Sequence, residues 1–366
     1  MKEQKIQKLD EVDDEIARLF RRRMELVGDK ADPARDRAAL ARAADIAGPE
    51  NGRDATRLFT TLFAMADARR RAALRGDSAV ARAVRDAAAS AKPFPERAFV
   101  ACVGAEGAYS QQAVSLMFKI PEILYLRDFE SVFEMVEKGM CPYGMLPIDN
   151  SLAGSVAQVY DLMVRHRFHI VRSVRVKVNH VLLGRRGATL DSVDEVASHP
   201  HALAQCGRFL KAHPSITPLP SSNTAVAAKE LADKGPATRA VIASRACAEL
   251  YGLDILAEDI ADTAFNFTRF ICISRNLDIT PDADKFSIML TLPHRPGSLN
   301  ATIAKFAAAG VNLTKLESRP IPGMDFEFRF TFEFEASPAD PGVLALVSEL
   351  SQDPEIEGFT FLGAYA

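Results

Sequence analysis

The chain has 366 residues, 48% hydrophobic and 25% charged, with a net charge of −3. That is the make-up of a globular protein with a large core, and the length asks for two or three domains. Acidic residues interspersed among basic ones give no nucleic-acid footprint, and no apolar run is long enough to span a bilayer. The start, MKEQKIQKLDEVDDE, lacks the apolar core of a secretory leader, so the expectation is a cytoplasmic protein with neither nucleic-acid nor membrane partners. Five cysteines, Cys102, Cys141, Cys206, Cys247 and Cys272, are odd in number and without a C-x-x-C pair, which reads as reduced, buried thiols. The spacings His166/His169 and His199/His201 lack clustered acidic or thiol partners, so no metal is expected.

Residues 1–92 read as helical. Leu9, Val12, Ile16, Leu19, Phe20, Met24 and Val27 recur at three- and four-residue steps, the stripe of an amphipathic helix. Arg23 lies on or beside that stripe, where a charge is costly unless an anion meets it. Further helices are expected over 36–45 and 54–75, and an Ala/Arg-rich stretch leads to a linker at Lys92-Pro93-Phe94-Pro95. The segment from Leu9 to Val27 resembles the first helix of the all-α chorismate mutase domain. The rest departs from that family: only Lys5 or Lys8 stands at the helix start, Ala38 rather than glutamate follows Arg37, and Arg70 or Arg71 stands near the usual glutamine. The resemblance implies a mutase-like domain in which Arg23 and Arg37 are remnants of a donor set. The departures favour a degenerate, dimerising helical domain over a bifunctional enzyme.

Residues 97–275 alternate strands and helices. Strands are expected at 99–103, 123–126, 143–148, 169–176, 178–183, 216–218, 239–243 and 265–273, with helices such as 111–118, 129–138 and 156–166 between them. This is an α/β domain or two lobes of one, and such sheets hold ligands at their strand-to-helix turns. Four of those turns look alike: Gly104-Ala-Glu106-Gly107-Ala-Tyr-Ser110, Pro147-Ile-Asp149-Asn150-Ser151-Leu-Ala-Gly154-Ser155, Ser198-His199-Pro200-His201, and Ser221-Ser222-Asn223-Thr224. Each ends in what reads as a helix N-cap, and glycines in the first two let backbone approach a ligand. Several helix N-termini facing one cleft would offer free N–H groups and positive dipole ends to an anion. The residues by themselves therefore describe an α/β protein binding a small, carboxylate-bearing ligand. The apolar run 264–274 adds Asn266, Thr268 and Arg269 to an otherwise buried strand. A buried hydroxyl or amide left unpaired costs about 1–3 kcal/mol, so these groups need partners.

Gly104-x-x-Gly107-x-x-Ser110, Pro147-Ile148-Asp149-Asn150-Ser151-x-x-Gly154, Ser198-His199-Pro200, Asn223-Thr224-Ala225 and Thr268-Arg269-Phe270 resemble, in order and spacing, the motifs of prephenate dehydratases. Asp149, Ala108 and His201 stand where that family usually has glutamate, threonine and glutamine. The resemblance implies two α/β lobes like those of a periplasmic binding protein, with the chain returning to close the hinge. It implies decarboxylative dehydration of prephenate to phenylpyruvate in phenylalanine biosynthesis, without a cofactor. By carry-over, Thr268 serves the leaving hydroxyl; Asn150 and Ser151 beside it, with Ser110, Thr224 and Ser222, are read as contacts to the substrate's carboxylates and hydroxyl, and catalytic Asp149 together with substrate-contacting Glu106 and His199 as candidate proton sources. Arg269 is expected to be structural, because successive strand residues face opposite ways. An arogenate-preferring dehydratase and a catalytically silent amino-acid sensor are the alternatives.

Residues 284–366 read as βαββαβ, the ferredoxin-like order. Pro296-Gly297-Ser298-Leu299 and the run Asn312-Leu313-Thr314-Lys315-Leu316-Glu317-Ser318-Arg319-Pro320 resemble the ACT regulatory domain attached to dehydratases. That resemblance implies phenylalanine binding through Gly297, Leu299, Asn312, Leu313, Glu317, Ser318 and Arg319, in a homodimer or homotetramer.

Overall fold

The structure, a computed structural model, describes residues 2–26, 32–75, 77–321, 323–324 and 327–366, and at 2, 3, 33, 64 and 67–75 the backbone alone. The chain packs as two compact units, Met1–Arg82 with Leu344–Pro354, and Ala83–Val343 with Glu355–Ala366.

The first unit is built on α1 (Lys2–Glu25), α2 (Pro33–Arg75) and the start of α3 (Ala79–Ala89). Inside α2, Gly48 has φ 75° and ψ 174° and is followed by Pro49. Proline has no N–H to donate and crowds the preceding turn, so the two helices expected there meet at a kink instead of a loop. The stripe of α1 is not a core face in the single chain: Leu9, Val12, Ile16 and Leu19 are 51–61% exposed, while Met24 is buried. Val27 and the side chains of Arg70 and Arg71 lie outside the described residues. The Ser78 hydroxyl accepts from the Ala81 N–H at 3.1 Å, and the Ser78 N–H donates to Ser348 Oγ at 2.7 Å. Among the described residues no helix is long and apolar enough to cross a membrane.

The second unit begins with β1 (Arg97–Val103), α4 (Tyr109–Met117), β2 (Ile120–Leu126), α5 (Phe129–Glu137), β3 (Tyr143–Asn150), β4 (Gly154–Ser155), α6 (Ala157–His166) and β5 (His169–Lys177). It continues through β6 (His180–Gly184), β7 (Glu195–Ser198), α7 (Pro200–Gln205), α8 (Gly207–Ala212), β8 (Thr217–Pro220), α9 (Thr224–Lys234), β9 (Arg239–Ser244), α10 (Ala246–Tyr251) and β10 (Asp254–Ala257). It ends with β11 (Phe267–Ser274), β12 (Lys285–Thr291), α11 (Ser298–Ala308), β13 (Asn312–Pro320), β14 (Phe328–Glu335) and β15 (Glu357–Tyr365); α12 (Pro341–Gln352) comes between the last two in sequence and belongs to the first unit from Leu344 on.

Three sheets result, ordered β2-β1-β3-β11-β5 with β4 on β3, then β10-β6-β9-β7-β8, then β13-β14-β12-β15. The chain crosses from the first sheet to the second after β5 and returns before β11, which inserts between β3 and β5 antiparallel to both. Strands β7 and β10 were not expected; at four residues each, their alternation is too short to stand out. Strand β3 runs to Asn150, so Asp149 and Asn150 are strand residues and the expected turn shrinks to 151–153 before β4.

Alternation along β11 feeds two cores. Ile271 and Ile273 join Phe133, Leu146, Ile148 and Met163 together with Met289, Leu362 and Tyr365 of the third sheet. Phe270 and Cys272 join Val100, Val114, Phe118 and Met145 on the other face. The first and third sheets thus share one hydrophobic core, and they touch backbone to backbone at Gly363. There φ is +155°, and a Cβ would sit 2.2 Å from the Ile170 carbonyl oxygen, so no other residue fits. The third sheet has the ferredoxin-like βαββαβ order. All five cysteines are free and buried.

Candidate active site

The pairing of β11 with β3 sets Thr268 opposite Asn150 and Arg269 opposite Asp149. Because neighbouring strand residues point to opposite faces, one pair of strands carries two different sites back to back.

On the first face the groups are neutral amides and a hydroxyl. Asn150 Oδ1 accepts the backbone N–H groups of Leu152 and Ala153 at 3.0 and 2.9 Å, which fixes the amide with its NH2 turned the other way. That Nδ2 donates to Thr268 Oγ1 at 3.0 Å and to Asn266 Oδ1 at 2.8 Å. Thr268 Oγ1 is therefore an acceptor toward Asn150, and its own proton stays available for another partner. The Ser151 hydroxyl accepts from the Phe267 N–H at 3.0 Å and donates to the Phe265 carbonyl at 3.2 Å, clamping the segment that enters β11.

On the second face the groups are charged. Arg269 donates to both oxygens of Glu333 at 2.7 and 2.6 Å, and its Nε donates to Asp149 Oδ2 at 3.1 Å, with Nη2 on the same oxygen. Lys315 Nζ meets Asp149 Oδ1, Ser155 Oγ at 2.8 Å and Tyr160 Oη at 2.7 Å, and lies 3.2 Å from Glu317. Burial pushes the Asp149 carboxyl up, but Arg269 and Lys315 outweigh it and hold it below the usual carboxylate range. Asp149 was expected beside Thr268. Strand alternation turns its carboxylate away, into a bridge between the first and third sheets.

The remaining expected residues divide. Gly104, at φ +113°, lies against the Asn223 side chain, where a Cβ would come within 3.0 Å, so the first and fourth turns meet. Asn223 caps α9 by accepting from the Ala225 N–H at 2.9 Å, with Thr224 next to it in the first turn and Ser222 exposed. Ser110 is buried inside α4, whose cap is Ala108, and α6 is capped by Val156; neither helix has the hydroxyl cap that the sequence suggests. The reason is length: α4 begins a residue before Ser110, and Ser155 is taken into β4. The Glu106 side chain is exposed, and its backbone carbonyl accepts from the Tyr251 hydroxyl at 2.6 Å. His199 caps α7 through Nδ1 and stacks on His201 with ring centres 5.3 Å apart; burial and that neighbour lower its pKa. Ser198 is buried and donates to the Ile242 carbonyl.

In the βαββαβ unit, Leu299 and Ser318 line a cavity of about 430 Å³ walled by Leu292, Pro296, Phe328 and Phe330. Gly297, at φ +91°, precedes α11. Glu317 and Arg319 face elsewhere, onto Ser155 and onto the Ala157 carbonyl at 2.9 Å, and Asn312 approaches Glu335 while Leu313 pairs with Phe334. In the helical unit, Arg23 donates to the Leu62 carbonyl at 3.2 Å with its guanidinium 4.9 Å over the Phe63 ring, and Arg37 is exposed. Among the described residues no group of three His, Cys, Asp or Glu side chains is arranged to hold a metal ion.

The prephenate dehydratase family profile matches residues 100–278, the region that holds both faces of the β3–β11 pair. An Arabidopsis thaliana protein described as arogenate dehydratase/prephenate dehydratase 2, chloroplastic, is 39% identical over 256 residues, 67% of either chain. The chain belongs to the prephenate dehydratase family. A solved Arthrobacter aurescens prephenate dehydratase in complex with L-Phe matches 73% of this chain and 90% of its own at 30% identity, with a TM-score of 0.66. A protein titled GqqA, a novel type of quorum quenching acylase, matches 73% of this chain and 97% of its own, also at 30% identity, with a TM-score of 0.64. The expectation of a cytoplasmic dehydratase does not stand, since several A. thaliana relatives are described as chloroplastic. It rested on a missing apolar leader, and plastid transit peptides are Arg- and Ser-rich amphipathic segments with no such core.

Two features that the sequence did not single out belong to this picture. Gln205 and His180 reach the Asn150 face through Asn266, and Lys315 reaches the Asp149 face from the third sheet. The one signal that sequence offered was Asn266 itself, an amide in an apolar run.

Proposed function

We propose that the chain is a prephenate dehydratase of phenylalanine biosynthesis. In that reaction the ring carbon–carboxylate bond breaks, its electron pair enters the ring, and the hydroxyl at the opposite carbon departs with a proton; phenylpyruvate, carbon dioxide and water account for every atom. Aromatisation drives the step, so the protein has to hold two carboxylates and help an oxygen leave. What carries the reading is the polarity at Thr268: Asn150 donates to its oxygen, which frees the hydroxyl proton for the departing group. A threonine hydroxyl is a weak acid, so Thr268 acts as a positioned donor or one member of a proton relay. Ser110, Thr224, Ser222, His199 and Glu106 remain the proposed substrate contacts, with the N-terminus of α9 offering N–H groups to a carboxylate.

Arogenate is the second substrate, favoured by the names of the plant relatives. Phenylpyruvate and phenylalanine formation from prephenate and arogenate, with an N-acyl amide as a third arm, is the deciding assay. No turnover of either cyclohexadiene would sink the dehydratase reading and leave the sensor.

Phenylalanine is the proposed effector, bound at the βαββαβ unit by Gly297, Leu299, Asn312, Leu313 and Ser318 of an ACT-type dimer. Chorismate rearrangement by the full chain is expected to be negligible, because Arg23 is engaged by Leu62 and Phe63 and Arg37 points to solvent. The half-exposed stripe of α1 supports a homodimer or homotetramer, which light scattering would test.

A further inference from the structure

Asn266 is completely buried and lies on the return crossing between the first two sheets, one residue before β11. Its partners can be ordered without ambiguity, starting from the turn. Two backbone N–H groups fix Asn150 Oδ1, so Asn150 Nδ2 must donate, and Asn266 Oδ1 accepts it at 2.8 Å. Asn266 Nδ2 then donates to Gln205 Oε1 at 2.9 Å, at the end of α7. The same Gln205 oxygen lies 3.0 Å from His180 Nε2, which must therefore carry a proton. His180 is itself buried at the start of β6, and its Nδ1 faces the Tyr109 hydroxyl at 3.4 Å. That hydroxyl gives its proton to the Asn179 carbonyl at 2.6 Å, on the other crossing. The Asn266 carbonyl also accepts the Val178 N–H at 2.8 Å, so the two crossings are tied at Asn266 by backbone and side chain together.

We propose that Asn266 is a positioning residue for Thr268. It holds the Asn150 amide with its NH2 toward the threonine oxygen, and it anchors that orientation to the second sheet through Gln205 and His180. Removing the Asn266 acceptor releases the Asn150 NH2 from its 2.8 Å partner. The donor that keeps the Thr268 proton free is then held only through its own oxygen at the turn and by the longer 3.3 Å contact of its NH2 with the Phe267 carbonyl. This inference rests on the dehydratase reading.

The test uses the full chain and the substrate that the wild type turns over, with kcat and KM measured separately. Asn266→Ala is expected to lower kcat about ten- to a hundredfold, the cost of a misplaced group near the reacting atoms, with KM changing far less. Asn266→Asp keeps an oxygen for Asn150 and should recover a large part of that loss. The decisive measurement is the cycle with Thr268→Ala: in that background, Asn266→Ala should cause no further loss, because there is no hydroxyl left to position. Losses that multiply, or a kcat for Asn266→Ala within about twofold of wild type, would overturn the assignment. If Asn266→Ala alone fails to show a wild-type-like melt, Asn266→Ser, whose short side chain also lacks the amide acceptor for Asn150, takes its place in the cycle with the same two outcomes. Turnover by the wild type separates this failure from that of the dehydratase reading, which an inactive wild type would overturn together with the proposal.

Discussion

The two faces of the β3–β11 pair differ in every respect except their backbone. One face joins Asn150, Thr268 and Asn266 through neutral groups whose donor and acceptor roles are fixed one by one from a turn. The other joins Asp149, Arg269, Glu333, Lys315 and Glu317, two cations against three carboxylates, and connects the first sheet to the third. Adjacent residues thus divide between a hydroxyl held by an amide and a guanidinium that fastens sheets. The lesson is that a motif such as Thr268-Arg269 is not one functional unit. Strand geometry splits it, and each half answers to a different neighbour.

The comparison breaks first on the charged face. Arg269 and Glu333 are 15% and 6% exposed, so Arg269→Ala would strand carboxylates away from water. A loss of about 3–5 kcal/mol is expected, read as a drop in the urea midpoint. A change under about 1 kcal/mol would mean that water replaces the guanidinium there. On the neutral face, Thr268→Ala should leave that midpoint nearly unchanged while lowering kcat at least about a hundredfold; near-wild-type turnover would refute the role given to the hydroxyl. Lys315→Ala lies between the two in kind. It should leave basal turnover close to wild type but weaken the response to phenylalanine several-fold, and an unaltered response would show that this bridge does not connect effector and site.

The smallest effect is in the pH dependence of stability. The folded Asp149 carboxyl titrates below its unfolded value, so its contribution is complete above about pH 4 and is lost as pH falls through the folded pKa. Asp149→Asn should flatten that part of the acid limb of a thermal-melt series. A limb of unchanged slope would assign it to other carboxylates.

Much of this was legible in the sequence for identifiable reasons. Alternation separates Thr268 from Arg269, turn chemistry marks Gly104 and Asn223, and the βαββαβ order follows from element succession. What was not legible depends on register and on distant contacts. Asp149 read as part of a turn because a strand's end has no marker of its own, and β3 continues through it. Gln205 closes a short helix and His180 opens a strand, and nothing local distinguishes either until β11 brings Asn266 between them. Lys315 looks like any exposed lysine on an edge strand until Asp149 is set beneath it.

Gly363 gives the third sheet a mechanical character. With no side chain between β15 and the Ile170 carbonyl, the two backbones approach directly at Gly363, and close by the Ser173 N–H donates to the Ala366 carbonyl at 2.8 Å. The ion pairs of Lys315 and Arg269 join the same two sheets on the strands that carry Asn150 and Thr268, so the third sheet is fastened to the first by bare backbone at one place and by charge at another.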